Sequence, residues 1–275
     1  MFGKLKETAD TNNEMSFLGH LEALRWHLFR SAIAVMVIAV GVFFAKSFIF
    51  DGVLLAPKRA DFFTYRLFCK FAQHFHLGDD FCIKEIPFKL QNIDLTGQFT
   101  THMMVSLIAG AIIASPYIFW ELWIFIKPAL YEKERRYAKG IVFYTSALFI
   151  IGILFGYYMI TPLSVNFLGT YQVSADVENI ISLESFISMV TTMTLISGLI
   201  FELPIVVYFL TKVGILTPTF MRTYRKHAVV VILIAAADIT PSSDIPTMML
   251  VAMPLYILYE VSILVAQNVL KKANQ

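Results

Sequence analysis

The side chains able to do chemistry in this sequence stand inside or beside long apolar stretches. Glu202 lies within one, in Phe201-Glu202-Leu203-Pro204. A bare carboxylate at mid-membrane depth costs roughly 2.5–3.5 kcal/mol on insertion scales, so it must be protonated, paired or turned toward a polar partner. Its plain role is a hydrogen bond at a helix interface. Glu121 ends a second stretch, between Trp120 and Trp123. There it reads as an ordinary interface residue among aromatic anchors. Pro128-Ala129-Leu130-Tyr131-Glu132-Lys133-Glu134-Arg135-Arg136 interleaves acids and bases, which by default makes a solvated basic anchor. His20-Leu21-Glu22-Ala23-Leu24-Arg25 precedes the first apolar run and taken alone is an amphipathic interfacial turn. A guanidinium is planar, permanently charged and pairs bidentately with carboxylates. Glu134, Glu132, Glu22 and Glu121 are carboxylates that stand beside the apolar runs.

Other clusters say less. Cys69 and Cys82 lie in one segment between apolar runs and stand either as a disulfide or as two partly buried free thiols. An oxidising compartment outside the cytoplasm favours the disulfide. His74-Phe75-His76 with Asp79 and Asp80 has no standard metal-ligand spacing, so neither metal nor cofactor is expected. Catalytic signatures are missing too, with no Gly-x-Ser-x-Gly elbow and no phosphate-cradling glycine loop.

The elements that must position these residues follow from composition. Of the 275 residues 57% are hydrophobic and only 15% charged, with mean hydropathy +0.68 and net charge +2. Soluble domains run near a quarter charged. The charge-poor runs have the length of bilayer-crossing helices and lack the alternation of a porin-type strand. We expect an all-α membrane protein with six transmembrane helices, at about Ser31–Phe50, Met103–Phe125, Gly140–Ile160, Phe186–Leu210, Ala228–Ala237 and Ile245–Val269. Pro162 should stop the third and Pro204 kink the fourth. The fifth run is too short unless it draws in Met221–His227, with Arg222, Arg225 and Lys226 snorkelling. Lys and Arg gather in residues 1–30, in the second-to-third and fourth-to-fifth loops and in the tail, and are absent from Thr161–Glu184 and Asp238–Asp244. The positive-inside rule then puts both termini in the cytoplasm. Residues 1–30 form a cytoplasmic segment, 31–270 one transmembrane domain with a long external loop at 51–102, and 271–275 a cytoplasmic tail. Nothing in residues 1–13 reads as a signal peptide.

Taken in order, several segments resemble the TatC family, the large polytopic subunit of the twin-arginine protein translocase. The resemblance runs from about His20 to Leu264. Its most specific piece, Pro116 to Arg135, is similar to the family's Pro-x-x-x-x-Gln-x-Trp-x-Phe-x-x-Pro-x-Leu-Tyr-x-x-Glu-Arg. Leu55-Ala56-Pro57, Phe201-Glu202-Leu203-Pro204, Thr240-Pro241-Ser242-Ser243-Asp244 and Pro254 with Tyr259-Glu260 also fit. The resemblance implies a signal-peptide-binding core in the bacterial cytoplasmic (inner) membrane. Such a core exports folded proteins on the proton-motive force, without ATP. It implies as partners the twin-arginine signal peptides, small single-span TatA- or TatB-type subunits, and further copies in a multimeric complex. The family's signal-binding glutamate corresponds to Glu134, its aromatic partner to Phe125 and its N-terminal arginine to Arg25. Its intramembrane glutamate, linked to partner-subunit contact, corresponds to Glu202, followed by Pro204. The chain departs from the family pattern where Ala23 holds the glutamate position of His-Leu-x-Glu-Leu-Arg. Glu22 precedes it by one residue, about 100° around a helix. Glu121 replaces a common glutamine, and the first external loop is long.

The rival function is a proton-coupled small-solute secondary transporter with Glu202 as proton carrier, but paired broken helices in two corresponding halves are missing. An intramembrane hydrolase would need a nucleophile and base within the spans, where histidine is scarce. A passive scaffold would need no arginine-reading surface.

Overall fold

The computed structural model describes residues 17–74, 82, 88–127, 138–174, 176, 179–240 and 245–273. The apolar runs are helical, as backbone groups in lipid must be satisfied within the chain. Helix α1 spans Phe17–Phe44, α3 Gly97–Ile126, α4 Ala138–Phe155, α6 Leu183–Ile200, α7 Leu203–Lys212 and α10 Ile245–Ala273. Five stretches are long and apolar enough to cross a membrane among the described residues: Leu21–Phe44, Gly97–Ile126, Gly140–Thr170, Leu183–Lys212 and Met248–Lys271. Many large apolar side chains on them face outward, as lipid-facing surfaces do.

Several bounds differ from the sequence reading. The first span begins at Leu21, so Glu22, Arg25 and Arg30 ride on the same helix as the apolar run. Pro162 does not stop the third span. A π-helical turn at Gly156–Ile160 leads from α4 into α5, Thr161–Thr170. Pro162 sits in the first turn of α5, where a missing N–H leaves no hydrogen bond broken. The fourth span tightens at Phe201–Glu202 between α6 and α7. The Glu202 N–H turns back to the Leu199 carbonyl at 3.1 Å, and Pro204 enters the first turn of α7. The fifth run forms α9, Arg225–Ile239, of 15 residues. At 1.5 Å per residue it reaches about 22 Å, short of the ~30 Å hydrocarbon core. It does not absorb Met221, which belongs to a separate short helix α8, Pro218–Thr223. Arg225, at the start of α9, pairs with Glu260 of α10 at 2.7 Å.

A helix and two short strands also lie outside the apolar runs. Helix α2, Phe63–His74, occupies the loop after α1. Strand β1, Lys89–Gln91, pairs in parallel with β2, Ile180–Ser182, in the register Lys89 to Ile180. This joins the segment after the first span to the segment after the third, so both lie on one side of the helices. Tyr65 of α2 fastens the same end. Its hydroxyl is 2.9 Å from the carbonyl oxygens of Pro57 and Pro162, and burial pushes its pKa up, which keeps the donor proton in place. Beneath it, Leu54, Phe62, Val105, Val165, Phe186 and Ile187 form a core. Cys69 and Cys82 are joined as a disulfide, with Cα atoms 4.5 Å apart.

Glycine sets the helix spacing in the membrane. A Cβ at Gly152 of α4 would fall 2.7 Å from Phe201 Cβ and 2.8 Å from Gly198 Cα. The α4 and α6 backbones thus approach as small-residue interfaces permit.

Candidate functional site

In the N-terminal half of α1, His27 meets the end of α3. His27 Nδ1 lies 2.5 Å from Glu121 Oε2. Glu121 Oε1 accepts from the Tyr117 hydroxyl at 2.7 Å. Tyr117 and Glu121 are four residues apart, hence neighbours on one face of α3. Side-chain exposure is 16% for His27 and 6% for Glu121, so this is a partly buried polar contact between two helices. It supplies both carboxylate oxygens with partners, as burial requires. The ring of Phe125, one turn beyond Glu121, stands 6.2 Å from the His27 ring in an edge-to-face arrangement. Edge-to-face packing at this distance is the preferred geometry for ring pairs.

The other expected residues fall around this cluster. Glu22 and Arg25 are exposed on α1, three residues apart and so on one helix face. Ala23 and Leu24 are half-buried. Glu121 is thus engaged within the fold, while Glu22 and Arg25 are open to a ligand. Glu134 and Glu132 lie outside the described residues, in the segment that leaves α3 after Lys127. His27 was missed by the sequence reading, as was the part played by Tyr117. The only hint was a histidine two residues past Arg25 on what proves to be the same helix.

Glu202 is the second feature. It is buried at the α6–α7 junction, and neither carboxylate oxygen has a hydrogen-bond partner among the described residues. It lines an open cleft of about 200 Å³ with Phe119, Trp123, Thr145, Ile205 and Phe209. Trp123 is also buried, and its Nε1–H likewise lacks a partner among the described residues. Two residues with buried polar atoms, Glu202 and Trp123, therefore line one mainly apolar cleft between α3, α4 and α7. Unsatisfied buried polar atoms of this kind call for an explanation, and a ligand or helix that brings complementary groups would supply one. Pro204 is buried beside the junction and leaves the Glu202 turn without an N–H at that position. No group of three or more His, Cys, Asp or Glu able to hold a metal occurs among the described residues.

A family model described as Sec-independent protein translocase protein (TatC) matches residues 19–254. The Sec-independent protein translocase protein TatC of Blattabacterium sp. subsp. Periplaneta americana (strain BPLAN) is 41% identical over 261 residues, covering 94% of this chain and 98% of its own. TatCy of Bacillus subtilis (strain 168) is 32% identical over 264 residues, covering 96% and 93%. Two solved structures also match. One is a crystal structure of twin-arginine translocase receptor TatC, at TM-score 0.67 and 31% identity over 91% of this chain and 99% of the other. The second, of the receptor in DDM, gives 0.69 and 32% over 89% and 98%.

Proposed function

The chain belongs to the TatC family of Sec-independent protein translocase proteins, and from that premise we propose that it is the subunit that binds twin-arginine signal peptides. In this reading it crosses the bacterial inner membrane six times, with α9 as a short fifth span and both termini in the cytoplasm. Folded cargo is exported on the proton-motive force. The binding face comprises Glu134, Phe125 and the exposed pair Glu22 and Arg25. The observation that carries the reading is the continuity of Pro116–Arg135 with the family pattern, together with the Phe125–His27 ring contact that ties its aromatic member to α1. Glu121, held by His27 and Tyr117, orients the end of α3 from which the Glu134 segment departs.

The second part of the proposal concerns partners. Glu202, with Pro204 shaping its turn, receives a polar side chain from the single-span helix of a small TatA- or TatB-type subunit. The two carboxylate oxygens, which lie beside an open cleft and have no hydrogen-bond partner among the described residues, support this, because a helix entering from lipid would supply the missing donor at low desolvation cost. Several copies of the chain assemble with those subunits.

Binding of a twin-arginine signal peptide to the purified full-length protein tests the first part. One charge-assisted hydrogen bond is worth roughly 1.5–3 kcal/mol, so Glu134→Ala should weaken binding by roughly 10- to 150-fold. Glu132→Ala should change it much less. A twin-lysine peptide should bind weakly even to the parent, because lysine lacks the planar fork. Equal binding of both peptides by the parent, or unchanged binding by Glu134→Ala, would overturn the reading. A photoprobe beside Glu134 should crosslink to the peptide.

A further inference from the structure

Helix α2 has three faces where a buried loop helix would have two. Tyr65 and Ala72 are buried against the helical body. On the other side Phe63, Leu67 and Phe71 are exposed by 56%, 39% and 55%. Their i, i+4, i+8 spacing sets them in one stripe. Arg66 and Lys70 are also exposed and flank one side of that stripe. At 100° per residue they fall 20–60° from Phe63, on the side away from Leu67 and Phe71. A stripe with aromatic members, bordered by cations, is the pattern of a helix lying in a membrane interface.

The depth of α2 fits that pattern. Thr64 donates to the carbonyl of Tyr158, and the ring of Phe63 meets that of Tyr158 at 5.9 Å, edge to face. Tyr158 belongs to the third apolar span, Gly140–Thr170. Phe62 stacks on the same ring at 5.7 Å. Tyr158 lies about 27 Å along the helix from Gly140 at 1.5 Å per residue, so the outward stripe starts near the far boundary of a ~30 Å hydrocarbon core entered at Gly140, a level where interfacial aromatics concentrate. Water-facing exposure of three large apolar side chains would be unfavourable; contact with acyl chains removes that penalty.

We propose that α2 lies in the adjacent leaflet as an interfacial anchor, with Phe63, Leu67 and Phe71 among the upper acyl chains. Arg66 and Lys70 bind the phosphate groups of anionic phospholipid. The occupant is lipid rather than another protein because the cations sit beside the apolar stripe, where a headgroup layer puts its negative charge. The inference requires only that the long helices span a bilayer and is independent of signal-peptide binding.

The test uses the full-length protein in nanodiscs of equimolar phosphatidylcholine and phosphatidylglycerol, with a benzoylphenylalanine photoprobe replacing Leu67. Mass spectrometry should find lipid adducts enriched in phosphatidylglycerol. Each basic residue near an anionic surface contributes roughly a fivefold preference, so Arg66→Gln and Lys70→Gln should each lower the adduct ratio by about that factor. A probe at Ala72, on the buried face, should give no lipid adduct. Crosslinking of the Leu67 probe to a second protein chain, no lipid adduct, or an adduct ratio unchanged by both substitutions would overturn the proposal. Thermal unfolding of each variant separates these outcomes from misfolding.

Discussion

Replacing His27 by alanine should destabilise the protein through Glu121. The substitution removes the partner at 2.5 Å and leaves Oε2 of a side chain only 6% exposed without its hydrogen bond. Tyr117 still serves Oε1 but cannot reach both oxygens with one proton. Breaking a buried pair by deleting one member costs roughly 3–5 kcal/mol. Here the lower end applies, because the 16% exposure of His27 lets water enter the vacated volume. At about 2–4 °C per kcal/mol for a chain of this order of size, the unfolding midpoint should fall by roughly 6–12 °C. Glu121→Gln keeps an acceptor for His27 and a hydrogen-bonding group for Tyr117, and should cost about 1 kcal/mol. A cycle of His27→Ala, Glu121→Ala and the double variant, which removes both groups, should show a double loss well below the sum of the single losses, since residues in direct contact are not additive. The assay is thermal unfolding in detergent followed by circular dichroism, with signal-peptide binding as a second reading. Affinity should fall in His27→Ala, because the Phe125 ring loses its neighbour on α1. A His27→Ala protein that melts with the parent, or a double variant whose loss equals the sum of the single losses, would refute the reasoning.

Glu202→Ala should reduce co-purification of the small single-span subunit more than signal-peptide binding, and Glu202→Gln should reduce it less, because an amide still hydrogen-bonds; intact association in both would limit Glu202 to contacts within this chain. Gly152→Leu should push α4 from α6, since even a Cβ there would lie 2.7 Å from Phe201 Cβ; overpacking costs roughly 1–3 kcal/mol, read as a lower unfolding midpoint. In intact cells, a cysteine at Ser174 should react with an impermeant maleimide and one at Thr223 should not; the reverse pattern would contradict the proposed orientation.

The long helices were legible because their apolar runs exceed what a soluble helix needs, and among the described residues five stretches are long and apolar enough to cross a membrane. Bounds were less so. Pro162 looks like a stop, yet a π-helical turn before it moves the proline to the start of a new helix, where it breaks no bond. Met221 looked able to lengthen the fifth span, but the chain breaks at Tyr224 and it joins a separate helix. Helix α2 was not expected at all, because twelve residues of mixed polarity carry no span signal. At the site, the chemistry of Glu121 and Glu202 was visible from their placement near apolar runs. The partner of Glu121 was not, since His27 is 94 residues away in sequence and only tertiary packing brings it near. Burial of Glu202 could be foreseen, but not that Trp123, whose Nε1–H lacks a partner among the described residues, would line the same cleft.

The β1–β2 pair imposes an order on synthesis. Lys89 can meet Ile180 only after 91 more residues have been made. At 5–20 residues per second that is roughly 5–18 s. Throughout that interval β1 has no mate and its loop cannot adopt its final tie to the third span. Three residues is short for an edge strand, and a short edge is a poor template for pairing with other chains. The tie between the two loops therefore closes late in biogenesis, after the chain has crossed back, and a chain truncated before Ile180 would carry the first loop without it.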